Sequence, residues 1–247
     1  MRPTLLCIGH RGAMGHAPEN TLLSIRKALQ MGAPAIEIDV FQVDDELIVI
    51  HDETLDRTTN GSGRLWDHDL AYLRSLDAGQ GERIPTLLEV CNAIAGRACL
   101  NIELKGADTA PAVVKLLQSL VNQADSPWKL EQFTISSFNH RTLQAVKALD
   151  ARIPVSVLLY GLPVDDAKIG SSLGAVSVNP SLEFIDERFV MDAHARGVRV
   201  FVYTVNELAD LERMAAMGVD GVFTNYPDRV LENYEQPDLP WGWKLRP

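Results

Sequence analysis

The chain contains no run of 18 or more apolar residues, and Met1, Arg2 and Pro3 lead straight into Leu5-Leu6-Cys7-Ile8 without a small-residue cleavage site behind a long apolar stretch. Neither a membrane-spanning helix nor a signal peptide is expected. Cysteine is scarce: Cys7, Cys91 and Cys99 are odd in number, lack C-x-x-C spacing, and two of them lie inside apolar runs. That argues against a disulfide framework and points to reduced, buried thiols in the cytoplasm. Basic charge is short as well, with 23 Lys and Arg against 33 Asp and Glu and a formal net charge of −10. A nucleic-acid partner needs an extended basic patch, and anionic lipid would be repelled, so neither is expected. An anionic small molecule stays open, because a bound divalent cation can invert the local field on an acidic protein. Internal repeats and low-complexity tracts are absent too, and the 247 residues are read as one domain.

That length, with 46% hydrophobic content, matches the size of a single (β/α)8 barrel. Short β-rich runs alternate with helical patterns, the signature of βαβ units around a parallel sheet. The candidate strands are 5–9, 35–40, 47–50, 99–104, 132–136, 155–160, 175–178, 199–204 and 220–224, nine for eight barrel places. Between the second and third lies only Asp44-Asp45-Glu46, too short for a crossover helix, so these two runs are read as a locally irregular pair. Thr86 and Glu89 form a capping-box pattern opening a helix over 87–95, and Asn139 caps a helix carrying Leu143, Val146 and Leu149. Gly197 and Gly218 close helical patterns at 186–196 and 206–217. The long connection 52–84 is read as an insertion or lid within the domain, with a short helix after Asp67. The tail 233–247, with Pro237, Pro240, Trp241 and Trp243, either packs back on the barrel or serves a homo-oligomer contact.

Chemistry concentrates at strand ends. In 35–40, Ile36, Ile38 and Val40 share one face and Glu37 and Asp39 the other; in 101–105, Ile102 and Leu104 oppose Asn101, Glu103 and Lys105. Inside a barrel an unpaired carboxylate would cost several kcal/mol. Two readings satisfy Glu37, Asp39 and Glu103: one divalent cation with oxygen ligands, Mg²⁺ or Ca²⁺, or an ion-pair cluster with Lys105 and Arg11. Zinc held by His10 and His51 lacks H-x-x-H or C-x-x-C support. His10 and His51 each end an apolar run, where barrel enzymes place catalytic groups, and suit general acid/base work. His16, His68, His140 and His194 are read as ordinary structural or surface histidines. Arg11 is a suitable fork for phosphate oxygens. Phe138, Tyr203 and Phe223 are read as core packing before substrate wall.

The stretch from His10-Arg11-Gly12 to Pro18-Glu19-Asn20-Thr21, Glu37-Ile38-Asp39, and His51-Asp52-Glu53 through Arg57-Thr58-Thr59-Asn60-Gly61 resemble the glycerophosphodiester phosphodiesterase family. So do 101–105, Ile135-Ser136-Ser137-Phe138, 202–206 and Thr224-Asn225-Tyr226-Pro227-Asp228. The resemblance implies a TIM barrel of the phosphatidylinositol phospholipase C type. It further implies hydrolysis of glycerophosphodiesters, such as glycerophosphocholine or glycerophosphoethanolamine, to sn-glycerol 3-phosphate and an alcohol. Glu37, Asp39 and Glu103 match the metal ligands, His10 and His51 the catalytic pair, and Arg11 and Lys105 the groups that meet phosphate. Tyr203 stands where tryptophan is common, and the segment after His51 is short. Two other classes are weighed: a metal-dependent lyase or isomerase, which would want its base on a later strand, and a non-catalytic binding barrel, which would be expected to have lost a histidine or a metal ligand.

Overall fold

Because side chains alternate along a strand, each barrel strand offers one row to the helices and one to the interior. The structure, a computed structural model, describes residues 2–106, 108–237 and 243. Eight parallel strands close a TIM barrel: β1 (Leu6–Gly9), β2 (Ala35–Val43), then β4 (Cys99–Leu104), β5 (Phe133–Ser137), β6 (Val155–Leu159), β7 (Ser177–Pro180), β8 (Arg199–Val202) and β9 (Gly221–Thr224), with β1 paired to both β2 and β9. The outer rows, including Ile36, Ile38, Ile102, Val157 and Val200, pack in one core with the surrounding helices.

The ninth candidate strand, β3 (Glu46–Val49), stands outside the closed barrel and pairs antiparallel with the end of β2. Barrel pairing of β2 with β4 stops at Val40↔Leu104, and β2 runs on to Val43. A tight turn with Asp44 in the left-handed region sends the chain back, Val40 pairs with Val49, and Ile50 N–H donates to Asp39 O. His51 therefore returns to the level of Asp39 by a hairpin rather than at the end of a barrel strand.

Helices α1 (Leu22–Met31), α2 (Leu70–Ser75), α3 (Leu87–Ile94), α4 (Thr109–Val121), α5 (His140–Leu149), α6 (Lys168–Ser172), α7 (Glu187–Ala195), α8 (Leu208–Met217) and α9 (Pro227–Asn233) complete the chain. The Thr86–Glu89 capping box opens α3, Asn139 caps α5, and Gly218 closes α8 in the left-handed region. Strand β7 lies two residues beyond its expected span, at Ser177–Pro180, because Gly174 and Ala175 belong to the turn that ends α6. Residues 52–84 carry a 3-10 turn at Leu65–Asp67 and α2, and Leu55, Leu65, Leu73 and Leu76 bury against Phe41 and Ile48 in a small core of their own.

The interior is layered. At the N-terminal end of the strands Leu6, Ala35, Cys99 and Phe201 form an apolar floor with Trp243, which also donates its indole N–H to Gln132 O at 3.0 Å. The tail thus packs back on the barrel at Trp243; Pro240 and Trp241 lie outside the described residues. Hydroxyls fill the middle, where Thr134, Ser156, Ser177 and Asn179 share hydrogen bonds of 2.7 to 3.1 Å. Charge lies above them. Cys7, Cys91 and Cys99 are free and buried, and burial pushes the Cys91 and Cys99 thiols up to about 12. No helix among the described residues is long and apolar enough to cross a membrane.

Candidate active site

Glu37 and Asp39 point inward from β2, and the β2–β4 register sets Asn101 beside Glu37 and Glu103 beside Asp39. One oxygen from each of Glu37, Asp39 and Glu103 lies within 4.8 Å of the others. The loop after β1 wraps this cluster. Arg11 and Gly12 both take positive φ, and Arg11 N–H donates to Glu37 Oε2 at 2.9 Å. A Cβ on Gly12 would come within 2.6 Å of the Ser24 backbone, so only glycine fits that approach to α1. Asn20, also at positive φ, donates its amide N–H to Asp39 Oδ2 at 2.8 Å.

Arg11 and Lys105 lie against the carboxylates. Lys105 Nζ is 2.6 Å from Glu103 and 3.1 Å from Asp39, and Arg11 Nε is 3.2 Å from Asp39. The ion-pair reading is thus realised, but it does not satisfy the cluster. Burial opposes ionisation of Asp39, yet Lys105 and Arg11 outweigh it and hold its pKa below the ordinary value. Burial, then Asp39 and Glu103, push the Glu37 carboxyl well above the usual range, and burial with Asp39 raises Glu103 to about 7. Glu37 Oε1 and the neighbouring Asn101 Oδ1 are buried without any hydrogen-bond partner. Orphaned oxygens and carboxyls starved of positive charge are what an oxygen-loving divalent cation would relieve. The donor set fits such an ion, with Glu37, Asp39 and Glu103 as the residues able to hold it.

Both histidines face the same cavity of about 240 Å³, with Arg11, Glu37, Asn101, Glu103, Lys105 and Ser136. They differ in what holds Nδ1. His10 Nδ1 meets the Asn225 side-chain oxygen at 2.7 Å, and Asn225 is fixed by its own N–H donating to Asn206. Burial, then Arg11, lower the His10 pKa to about 4. His51 Nδ1 meets the Asp52 carboxylate at 2.5 Å, and the hydrogen bond from Arg57 does most to hold Asp52 down at about 2.

Every sequence-derived site residue converges here; Asp39 sits just behind the cavity wall. The other four histidines each hydrogen-bond elsewhere: His16 to Asp228, His68 to Ser62 O, His140 to Leu158 O and His194 to Asp220. The core reading holds for Phe223, 2% exposed in the apolar cluster with Phe201, and needs correcting for Phe138. Phe138, Tyr203 and Phe223 all line the cavity, and Phe138 is 46% exposed, because the loop after β5 ends at the barrel mouth. Asn225, Asn101 and Glu19 had no role assigned from sequence; all three stood inside the quoted motifs, and Asn101 also shared the inward face with Glu103 and Lys105.

A closed parallel barrel with acids and two histidines facing one cavity at its mouth has the groups that acid/base hydrolysis needs. Residues 10–229 match the glycerophosphoryl diester phosphodiesterase family. A glycerophosphodiester phosphodiesterase of Caldanaerobacter subterraneus is 37% identical over 92% of this chain and 96% of its own length, and one of Bacillus subtilis is 37% identical over 91% and 84%. In structure the chain resembles a phosphodiesterase of Oleispira antarctica in complex with the product sn-glycerol-3-phosphate, with a TM-score of 0.84 and 32% identity over 94% of this chain and 96% of that one. The chain belongs to the glycerophosphoryl diester phosphodiesterase family and is an enzyme of that class, a phosphodiester hydrolase.

Proposed function

We propose that this enzyme hydrolyses glycerophosphodiesters, such as glycerophosphocholine or glycerophosphoethanolamine, to sn-glycerol 3-phosphate and an alcohol, with Mg²⁺ or Ca²⁺ held by Glu37, Asp39 and Glu103. The observation that carries it is the unlike partnering of two histidines around one acidic cavity. Asn225 is a neutral partner. With Nδ1–H donating to its oxygen, the His10 lone pair sits on Nε2, and the low pKa keeps it free at neutral pH. His10 is the base that takes the proton from the attacking hydroxyl, either water or the neighbouring glycerol hydroxyl. Asp52 is a negative partner, which suits His51 to carry a proton and deliver it to the leaving oxygen as the P–O bond breaks. The cation, when bound, supplies Lewis-acid neutralisation of the non-bridging phosphate oxygens. Arg11 and Lys105, on the same cavity, add positive charge for the phosphate.

We read the whole chain as one catalytic domain, with 52–84 as an insertion that walls the His51 side. Three free, buried cysteines support a cytoplasmic, reducing compartment. The direct test is release of glycerol 3-phosphate from a panel of glycerophosphodiesters with Mg²⁺, Ca²⁺ or Mn²⁺ supplied, with and without EDTA. Release that the chelator abolishes is expected; no release across the panel would sink the reading. Trapping a cyclic glycerol phosphate would identify the glycerol hydroxyl as the nucleophile.

A further inference from the structure

Glu19 touches neither histidine nor the cavity, yet it ties the two arms of the site together. Its carboxylate is only 10% exposed and accepts from two arginines. Oε1 takes Arg11 Nη1 at 2.7 Å and Arg57 Nη2 at 2.8 Å, and Oε2 takes Arg57 Nη1 at 2.7 Å. Arg57 then donates from Nε to Asp52 Oδ2 at 2.5 Å, and Asp52 Oδ1 meets His51 Nδ1. Positive and negative groups alternate along the whole path from Lys105 through Asp39, Arg11, Glu19, Arg57 and Asp52 to His51.

The location gives this path a task. His51 follows a hairpin outside the barrel, so strand pairing around the ring does not fix its ring. Its side chain is 31% exposed, and the hydrogen bond recorded for it is the one to Asp52. Asp52 and Arg57 both belong to the 52–84 connection, and Arg57 itself is 47% exposed. An exposed arginine holding one carboxylate would be a weak anchor, since solvent screens surface pairs and their long side chains lose freedom on pairing. Glu19 changes that. It engages the Arg57 guanidinium through two parallel hydrogen bonds, a geometry that fixes orientation as well as charge, and it is itself held by the loop that covers Glu37.

We propose that Glu19, acting through Arg57 and Asp52, is the positioning residue that aims His51 Nε2 at the leaving oxygen. The relay rests on the acid role given to His51 above. It performs no chemistry itself: the proton passes from His51 to the leaving alkoxide as the P–O bond breaks, and Glu19 holds the donor in line.

The dependence on leaving group separates this role from a merely structural one. An alkoxide leaving group needs a proton, whereas p-nitrophenolate departs without one. The variants Glu19→Gln, Arg57→Gln and His51→Ala are assayed on glycerophosphocholine and on the p-nitrophenyl ester of glycerol 3-phosphate, with folding checked by thermal melting. Arg57→Gln serves as the second variant, because its side chain is half exposed and it leaves the Arg11 pair in place. We expect Glu19→Gln and Arg57→Gln each to lower kcat on the choline ester by about tenfold and on the aryl ester by less than about twofold. The double variant should be little worse than either single one, since both cut the same path. If His51→Ala spares the aryl ester while Glu19→Gln and Arg57→Gln lower both substrates equally, or neither, the relay is overturned and the acid role stands. If His51→Ala itself lowers both substrates equally, it is the acid role that fails.

Discussion

The barrel interior has two unlike halves. On the arc formed by β1, β2 and β4, the inward positions near the mouth carry Glu37, Asp39, Glu103 and, just beyond, Lys105 and His10. Across the ring, β5, β6 and β7 present Thr134, Ser136, Ser156, Ser177 and Asn179, with Phe138 and Tyr203 above them. One half stores charge that is incompletely compensated; the other is neutral, its Thr134, Ser156, Ser177 and Asn179 joined by hydrogen bonds while Ser136 Oγ and Asn179 Nδ2 stay unpartnered. On the proposed function, phosphate chemistry would run against the first half, with the second as an uncharged wall. The architecture is nearly symmetric, so the asymmetry resides wholly in which side chains occupy equivalent inward positions.

The largest test of that contrast removes the proton carriers. His10→Ala or His51→Ala should cut turnover of glycerophosphocholine by roughly 10² to 10⁴ while leaving cation affinity largely intact, measured by steady-state kinetics beside a metal titration. Next, Glu103→Ala should weaken cation binding by about 10 to 100-fold, read by calorimetry. A smaller effect concerns pH. Glu103 has a folded pKa of about 7 against an ordinary 4.5, so the folded protein binds that proton more tightly. Its contribution to stability is complete below about 4.5 and is lost as pH rises toward about 7. A cation relieves the same strain and competes with the same proton, so the rise in Tm on adding Mg²⁺ or Ca²⁺ should be greater at pH 8 than at pH 5. An equal rise at both would remove Glu103 from the cation site. The smallest effect lies on the opposite arc: Ser177→Ala orphans Asn179 Oδ1, leaves Ser156 with Thr134 alone, and should cost about 1 to 3 kcal/mol in chemical denaturation, with kcat/KM changed less than about threefold. A large catalytic loss there would break the division between the halves.

Much of the charged arc was legible because it obeys a period of two. The alternation in 35–40 and 101–105 separates acids from aliphatics, and parallel register then brings Glu37, Asp39 and Glu103 together. The route of His51 was not legible in the same way. An apolar run ending in histidine looks alike whether it closes a barrel strand or returns on a hairpin, and only the three-residue turn hinted at the second. Glu19, Arg57 and Asn225 lay further out of reach, since their partners are 38 and 215 residues away in sequence and no local period connects them. Phe138 was misjudged because an aromatic after a strand carries no mark of which way its loop turns.

Trp243 stands at the opposite end of the barrel from the chemistry, its ring centroid 5.9 Å from that of Phe201 and tilted against it, and it is hydrogen-bonded to the backbone entering β5. It packs across the ring with Leu6, Ala35, Cys99 and Phe201, so the acids face the mouth cavity on one side and, beneath the hydroxyls, an apolar floor on the other. A charge near such a boundary is screened from one side only, which lengthens its reach toward anything entering the mouth. A residue that never approaches the substrate thereby helps set how far the site's field extends into solvent.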